Sequence, residues 1–535
     1  MAFRQGSRST TRIRHIRSTC RSLFIEYMPL PRRASGILLH PTSLPGAFGI
    51  GDLGKEAYGF IDFLVASGQQ VWQILPIGPT GFGNSPYLSY SALAGNPLLI
   101  NLEWLVSEEL LSAEDLADLP EFERDRVDYD RVITHKFPLL KKASQNFAAL
   151  ATPERKEAFE TFCQKQAYWL DDYALFMAIK ADNDGKSWYQ WDEELAKRDA
   201  NALAACQEKL EKEIFFHKYL QAEFFRQWST LKKYANENGV KIFGDIPIYV
   251  AHDSADVWAN PEIFRLDEET GEAELMAGVP PDYFSETGQL WGNPVYNWKV
   301  LEKTNFKWWV QRIESMLNYV DLMRIDHFRG FEAYWAVPQG EKVATNGEWL
   351  TAPGAEFFTI LKDDLGELPI VAEDLGVITP EVEELRDRFE FPGMKLLHFA
   401  FDSGPGNGFL PYNYPQNCVV YAGTHDNNTT VGWFEARSLE EKERVWDYLG
   451  GEPAEGIHWA MIRLVLASVG KLAVLTLQDL FGAGEEGRMN LPGRAEGNWD
   501  WRYTPEQLTP EIRERLAQLT GVYGRAPEKR DDDGE

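Results

Sequence analysis

The 535-residue sequence has no run of about 18 uncharged apolar residues, so it offers no candidate membrane-spanning helix. Positive charge is scarce too. Lys and Arg total 54 against 82 Asp and Glu, a formal net charge of −28, and this argues against duplex or anionic-membrane binding, which needs clustered cations. Cysteine is rarer still: Cys20, Cys163, Cys206 and Cys418 lie far apart, with no C-x-x-C spacing and no His-rich neighbourhood. Neither a zinc site nor a redox pair is expected, and a reducing, cytoplasmic compartment is. Aromatic residues, by contrast, are plentiful. Trp 18, Tyr 21 and Phe 31 make up 13% of the chain, enough to fill a large core and also suited to stacking against sugar rings.

The two ends differ from the rest. Residues 1–27 carry six Arg, four Ser and a single acid, Glu26. That composition fits either an upstream start ahead of Met28 or a transit peptide, in which case the location would be a plastid. Residues 1–33 are accordingly read as a basic extension. Residues 521–535, ending Asp-Asp-Asp-Gly-Glu, are read as a solvated, disordered acidic tail.

Between them, eight short apolar runs end in Gly, Pro, Asp, His or a similar polar residue: 35–40, 71–76, 240–246, 320–326, 369–374, 393–398, 418–424 and 472–478. Helical stretches separate them, as in a parallel sheet with crossover helices. Eight such strands predict an α/β fold, a closed (β/α)₈ TIM barrel over 34–520 with inserted, largely helical subdomains. Residues 104–239, rich in Glu, Ala, Leu and Lys, form the helical insertion. Its last helix shows Phe216, Leu220, Phe224, Trp228 and Leu231 at i, i+3/i+4 spacing and stops at Asn238-Gly239. A second insertion, 249–309, has few helical signals and is read as loop-rich.

In a barrel the active site lies at the C-terminal strand ends. Carboxylates dominate that position: Asp245 ends the third run, Asp326 the fourth, Glu373 the fifth, and Asp426 follows the seventh, with Arg324, His327 and His425 beside them. Strand alternation aims Arg324 and Asp326 together into the mouth. Such a cluster suits either a divalent cation or a pair of acids flanking a glycosidic bond. Arg324 opposes the cation. The sugar chemistry uses the same residues: a retaining mechanism needs an ionised nucleophile, kept so by a neighbouring Arg, and a protonated acid about 5 to 5.5 Å away.

The segments Ser35-Gly-Ile-Leu-Leu-His-Pro-Thr-Ser-Leu-Pro-Gly46, Asn84-Ser-Pro-Tyr87, Gly244-Asp-Ile-Pro-Ile-Tyr-Val250, Gly278-Val-Pro-Pro-Asp-Tyr-Phe-Ser285, Trp291-Gly-Asn-Pro294, Arg324-Ile-Asp-His-Phe-Arg-Gly330, Ala372-Glu-Asp-Leu-Gly376 and Thr424-His-Asp-Asn427 together resemble the amylomaltases, the 4-α-glucanotransferases of glycoside hydrolase family 77. The resemblance runs in order from about residue 35 to residue 520. It implies transfer between α-1,4-glucans (maltooligosaccharides, amylose or starch fragments) with Asp326 as nucleophile, Glu373 as general acid and base, and Asp426 gripping the distorted donor sugar. It also implies that Arg324, His425 and Asp245 hold that subsite, that Tyr87 lies under the ring, and that His327, Trp291 and Asp282 contact substrate, the last within a mobile loop at 280–288. No cofactor, metal, nucleic acid or membrane partner is implied, and a monomer or weak homo-oligomer is expected. An α-amylase-type hydrolase with the same acids is the alternative activity.

Overall fold

The computed structural model describes residues 33–281, 285–494 and 496–528. Eight parallel strands form its centre: β1 (Ala34–Leu38), β2 (Val71–Gln73), β3 (Lys241–Pro247), β4 (Leu322–Asp326), β5 (Ile370–Ala372), β6 (Gly393–Leu396), β7 (Cys418–Tyr421) and β8 (Leu472–Thr476). Each falls within one residue of a run read from the sequence. Each strand pairs with its neighbour in chain order except across β5 and β6, and β8 pairs with β1. The remaining gap, between β5 and β6, is bridged by the Ala372 amide donating to Pro392 O at 2.9 Å. The chain is thus a (β/α)₈ barrel. Its strands are apolar on both faces because side chains fill the interior while helices cover the outside.

Residues 104–239 are helical, with long helices at Tyr129–Leu150, Pro153–Asp182 and Glu211–Glu237. The last buries Phe216, Leu220, Phe224, Trp228 and Leu231. It ends at Gly239, whose φ of 78° lets the Val240 amide turn back to Ala235 O at 2.8 Å. Two buried glutamines on this helix do more than pack. Gln221 exchanges paired hydrogen bonds with the Gly95 backbone at 2.7 and 2.9 Å, and Gln227 does the same for Asn101 at 2.8 and 3.3 Å. They pin the segment after β2, which carries Tyr87. Gly95 has to lack a side chain, because a Cβ there would stand 2.0 Å from the Phe224 ring.

The region 249–309 differs from the loop-rich reading. It contains strands Leu275–Val279 and Gln289–Pro294, which join Ala333–Pro338 and Glu348–Thr351 in an antiparallel sheet beside the barrel. Glycine and proline within these short strands hide their pattern, and half of the sheet comes from chain beyond β4. The hairpin between the first two strands is the 280–288 loop, of which Asp282, Tyr283 and Phe284 lie outside the described residues.

The tail needs a correction as well. Helix Pro510–Val522 runs past residue 520, and Arg525 is fully buried. Its guanidinium donates to the carbonyls of Ala34, Leu466, Ser468 and Gly470 at 2.7 to 3.0 Å, locking the chain end against β1 and β8. Charge composition alone suggests solvent, yet five donors meeting free carbonyls favour burial. Among the described residues, no helix is long and apolar enough to cross a membrane.

Candidate active site

Arg324, on β4, organises the mouth of the barrel. It is 2% exposed, so its charge must be matched inside the protein. The side chain fits that demand: Nε donates to both Asp245 oxygens at 3.0 Å, and Nη2 donates to Asp326 Oδ1 at 2.6 Å and to the Tyr87 hydroxyl at 3.2 Å. Register explains the meeting, since Asp245 on β3 is the Cα partner of Arg324, and Asp326 lies two residues further along the same face. Burial works against the Arg324 charge, but Asp245, Tyr87, Asp326 and Glu373 outweigh it and leave the group held well above its ordinary value.

Tyr87 extends the network. Its hydroxyl donates to Asp245 Oδ2 at 2.7 Å and stands 2.8 Å from His425 Nε2, while the Tyr87 and His425 rings stack with centroids 5.5 Å apart. Burial, then Asp245, pushes the Tyr87 hydroxyl well above its usual pKa, so it keeps its proton. His425 Nε2 also lies 3.3 Å from Asp426 Oδ2. Burial lowers the His425 pKa despite that acid, which makes the ring neutral.

Glu373 follows β5, and backbone amides hold both of its oxygens: His327 N–H to Oε2 at 2.8 Å and Leu375 N–H to Oε1 at 3.0 Å. The acid is therefore attached to the residue next to Asp326. His327 itself has φ 54° and ψ 49°, a left-handed conformation uncommon for a residue with a side chain. Its Nε2 is buried without a protein partner, and its ring meets the Trp291 ring edge-on at 4.8 Å.

Burial raises Glu373 to about 7, against the pull of Arg324 and of its amide donors. Asp326 departs from the simple expectation. Arg324 does lower its pKa, but burial is the larger effect and Asp245, Glu373 and Asp426 add to it, so the net direction is up. Its side chain nevertheless keeps 29% exposure, and of these two carboxyls it alone contacts Arg324. The charge therefore settles on Asp326 and the proton on Glu373. This is the division of roles that a nucleophile and an acid require.

The structure brings Tyr87, Asp245, Arg324, Asp326, Glu373, His425 and Asp426 into one site, with His327 and Trp291 on one flank. Asp282 lies outside the described residues. Two contributors escaped the sequence reading: Asn490 Nδ2 donates to Asp426 Oδ1 at 2.6 Å, and Arg488 Nη2 to Asp426 O at 2.8 Å. Both follow β8, in a strand-to-helix segment at the same end of the barrel, so topology could have nominated them. Among the described residues no three of His, Cys, Asp and Glu are disposed to hold a metal ion, and the guanidinium occupies the centre of the carboxylates.

The family model described as 4-alpha-glucanotransferase matches residues 39–509. Over 498 residues the chain is 59% identical to the 4-alpha-glucanotransferase of Synechocystis sp., covering 93% of this chain and 99% of that one. It is 51% identical over 499 residues to the 4-alpha-glucanotransferase of Thermus thermophilus, covering 92% and 99%. An amylomaltase from Streptococcus agalactiae, solved in complex with acarbose, superposes with a TM-score of 0.90 at 42% identity, covering 92% of this chain and all of that one.

Proposed function

The chain belongs to the 4-alpha-glucanotransferases of glycoside hydrolase family 77, and from that premise we propose that it moves a segment of an α-1,4-glucan to the 4-hydroxyl of an acceptor glucan or glucose by retaining double displacement. The observation that carries the residue roles is the Arg324 contact made with Asp326 and not with Glu373.

In this reading Asp326 attacks the anomeric carbon while Glu373 gives its proton to the departing glycosidic oxygen. The glucan remains as an ester on Asp326. Glu373, now ionised, takes the proton of the acceptor 4-hydroxyl as that oxygen displaces Asp326, and the configuration is retained. A value of about 7 suits a group that must give and then take a proton near neutrality. Asp426, His425 and Tyr87 hold the hydroxyls and face of the donor ring. His327, with its unpartnered Nε2, and Trp291 form the acceptor wall. Every step runs through side chains.

Substrates of this kind are soluble maltooligosaccharides, amylose or starch fragments, and the acarbose complex of the Streptococcus relative supports that class. Water is more abundant than any acceptor but is not positioned, whereas orientation of a bound acceptor contributes up to roughly 7 kcal/mol or more. A 280–288 loop that covered the groove, as the family resemblance implies, would add to the preference. A cytoplasmic location accords with the widely spaced cysteines.

Incubation with pure maltotriose tests the reading. The expected product is a ladder of shorter and longer glucans with a nearly constant number of reducing ends. A reducing-end count that climbs in step with cleavage would identify a hydrolase instead. An activated glucosyl fluoride should label the wild type and Glu373→Gln but not Asp326→Ala, and label on the last would refute the nucleophile assignment.

A further inference from the structure

His40 follows β1 and opens the short turn Pro41–Ser43. It makes no hydrogen bond or ion pair with Asp326, Glu373 or Asp426, and although it lies in the Ser35–Gly46 segment that carries the family resemblance, that resemblance assigns it no role. It is 6% exposed and lines a cavity beneath the barrel mouth together with His425, Thr424, Asn427, Asp479 and Met489. The cavity has about 30 Å³ of room for water centres, more than the roughly 10 to 15 Å³ that one water needs.

Hydrogen-bond accounting around His425 fixes where its proton lies. The single Tyr87 hydroxyl proton goes to Asp245, a bidentate partner of Arg324 that only accepts. Tyr87 then has only lone pairs to offer His425, so the contacts with Tyr87 and Asp426 are satisfied when Nε2 carries the hydrogen. His425 Nδ1 is then a lone pair, and it is buried with no protein donor. Among the residues lining the cavity, only His40 likewise leaves a buried side-chain nitrogen or oxygen unpartnered, and that atom is also its Nδ1. The hydroxyls of Ser43, Thr424 and Thr429 are committed elsewhere, to Met489 Sδ, Asn427 Oδ1 and Gly484 O.

We propose that His40 is a positioning residue for the transfer reaction: its Nδ1–H, through one bridging water in the cavity, donates to His425 Nδ1 and holds His425 as the Nε2–H tautomer that faces the donor sugar. Without that donor the His425 proton can move to Nδ1, and Nε2 would then present a lone pair toward Tyr87, Asp426 and the substrate, breaking the contact on which the donor subsite depends. The effect on catalysis rests on the function proposed above; the tautomer itself does not.

The charge states agree with this arrangement. Burial, with His425 adding to it, holds His40 to about 3, and burial lowers His425 too. Both rings are neutral, so each has one donor and one acceptor nitrogen, and a water that accepts from His40 Nδ1–H has its own hydrogens free to donate to His425 Nδ1.

The test uses full-length protein with ¹⁵N-labelled histidine, the His425 signals being identified by their loss in His425→Gln. The wild type should show His425 as the Nε2–H tautomer; a proton on Nδ1 would overturn the proposal whatever the variants do. In His40→Phe the His425 signals should shift toward a tautomer mixture, and kcat should fall about tenfold with a smaller change in KM. Two amides separate positioning from mere packing: His40→Asn places an N–H near the position of Nδ1 and should restore both tautomer and kcat, whereas His40→Gln places it near Nε2 and should not. Equal behaviour of Asn and Gln, or an unchanged His425 spectrum in His40→Phe, would sink the idea. Should His40→Phe fail to fold, the wild-type spectrum and the Asn–Gln comparison still decide.

Discussion

Replacing Glu373 with Gln should stabilise the protein in a pH-dependent way while removing activity, and the structure gives both sign and size. The carboxyl has an ordinary value of 4.5 and is raised by burial to about 7. Between those values the folded chain binds more protons at this site than the unfolded chain, so stability falls as pH rises. Below 4.5 both states are protonated and nothing is lost; above 7 the full penalty applies. A gap of about 2.5 at 1.36 kcal/mol each gives about 3 kcal/mol, and water reaching the half-buried side chain brings this to about 2 to 3 kcal/mol. Gln never ionises and escapes the loss. It does have one oxygen where Glu373 has two, so one of the amides of His327 and Leu375 loses its acceptor, a pH-independent cost of about 1 kcal/mol. Urea unfolding of both proteins from pH 4 to 9 should therefore show Glu373→Gln slightly less stable at the acid end and more stable above pH 7. A stability difference that stays flat across this range would mean that Glu373 titrates normally and is not the acid.

Two further outcomes follow from the site. Asn490→Ala should lower kcat about tenfold by freeing Asp426 from its 2.6 Å donor, with little change in unfolding midpoint, and Asn490→Asp should be worse because it sets a carboxylate against Asp426; equal activity in the two variants would remove Asn490 from the site. Shortening the 280–288 loop should raise hydrolysis relative to disproportionation on maltotriose, whereas a parallel fall in both rates would place water exclusion elsewhere.

Much of the barrel is legible in the sequence because its strands are buried on both faces. Runs such as Leu322-Met-Arg-Ile-Asp326 need no partner to be recognised, and their polar terminal residues announce the mouth. The antiparallel sheet beside it is not legible for the opposite reason. Leu275–Val279 is held between Gln289–Pro294 and Ala333–Pro338, the latter nearly sixty residues away, and its own composition is neutral. The site divides along the same line. Asp245, Asp326 and Glu373 are fixed by strand position, so counting along the chain finds them. Asn490, Arg488 and His40 act through what they touch, and no spacing encodes that Asn490 reaches Asp426 or that His40 and His425 share a cavity. Arg525 shows the converse: composition assigns it to solvent, and only the carbonyls left open near β1 and β8 explain its burial.

The strained turn at His327 shows how the fold converts strand position into chemistry. A left-handed residue with a side chain costs about 1 to 2 kcal/mol, so the surroundings must hold it there. They do so with Glu373: His327 N–H bonds to Glu373 Oε2 and Phe328 N–H to Glu373 O at 3.2 Å, so the two amides after Asp326 close on one residue of β5's outgoing loop. A chain that continued extended beyond Asp326 would carry those amides along β4 and leave Glu373 without them. The same turn swings the His327 ring against Trp291 of the small sheet. One backbone conformation therefore orients three parts of the site at once: Asp326 at the end of β4, the Glu373 carboxyl, and the His327–Trp291 wall assigned to the acceptor. In the proposed mechanism the last two must keep a fixed relation, because the acceptor hydroxyl has to arrive within hydrogen-bonding reach of the ionised acid. The two hydrogen bonds that hold His327 in this conformation fix that relation, whereas a turn without them would be free to drift.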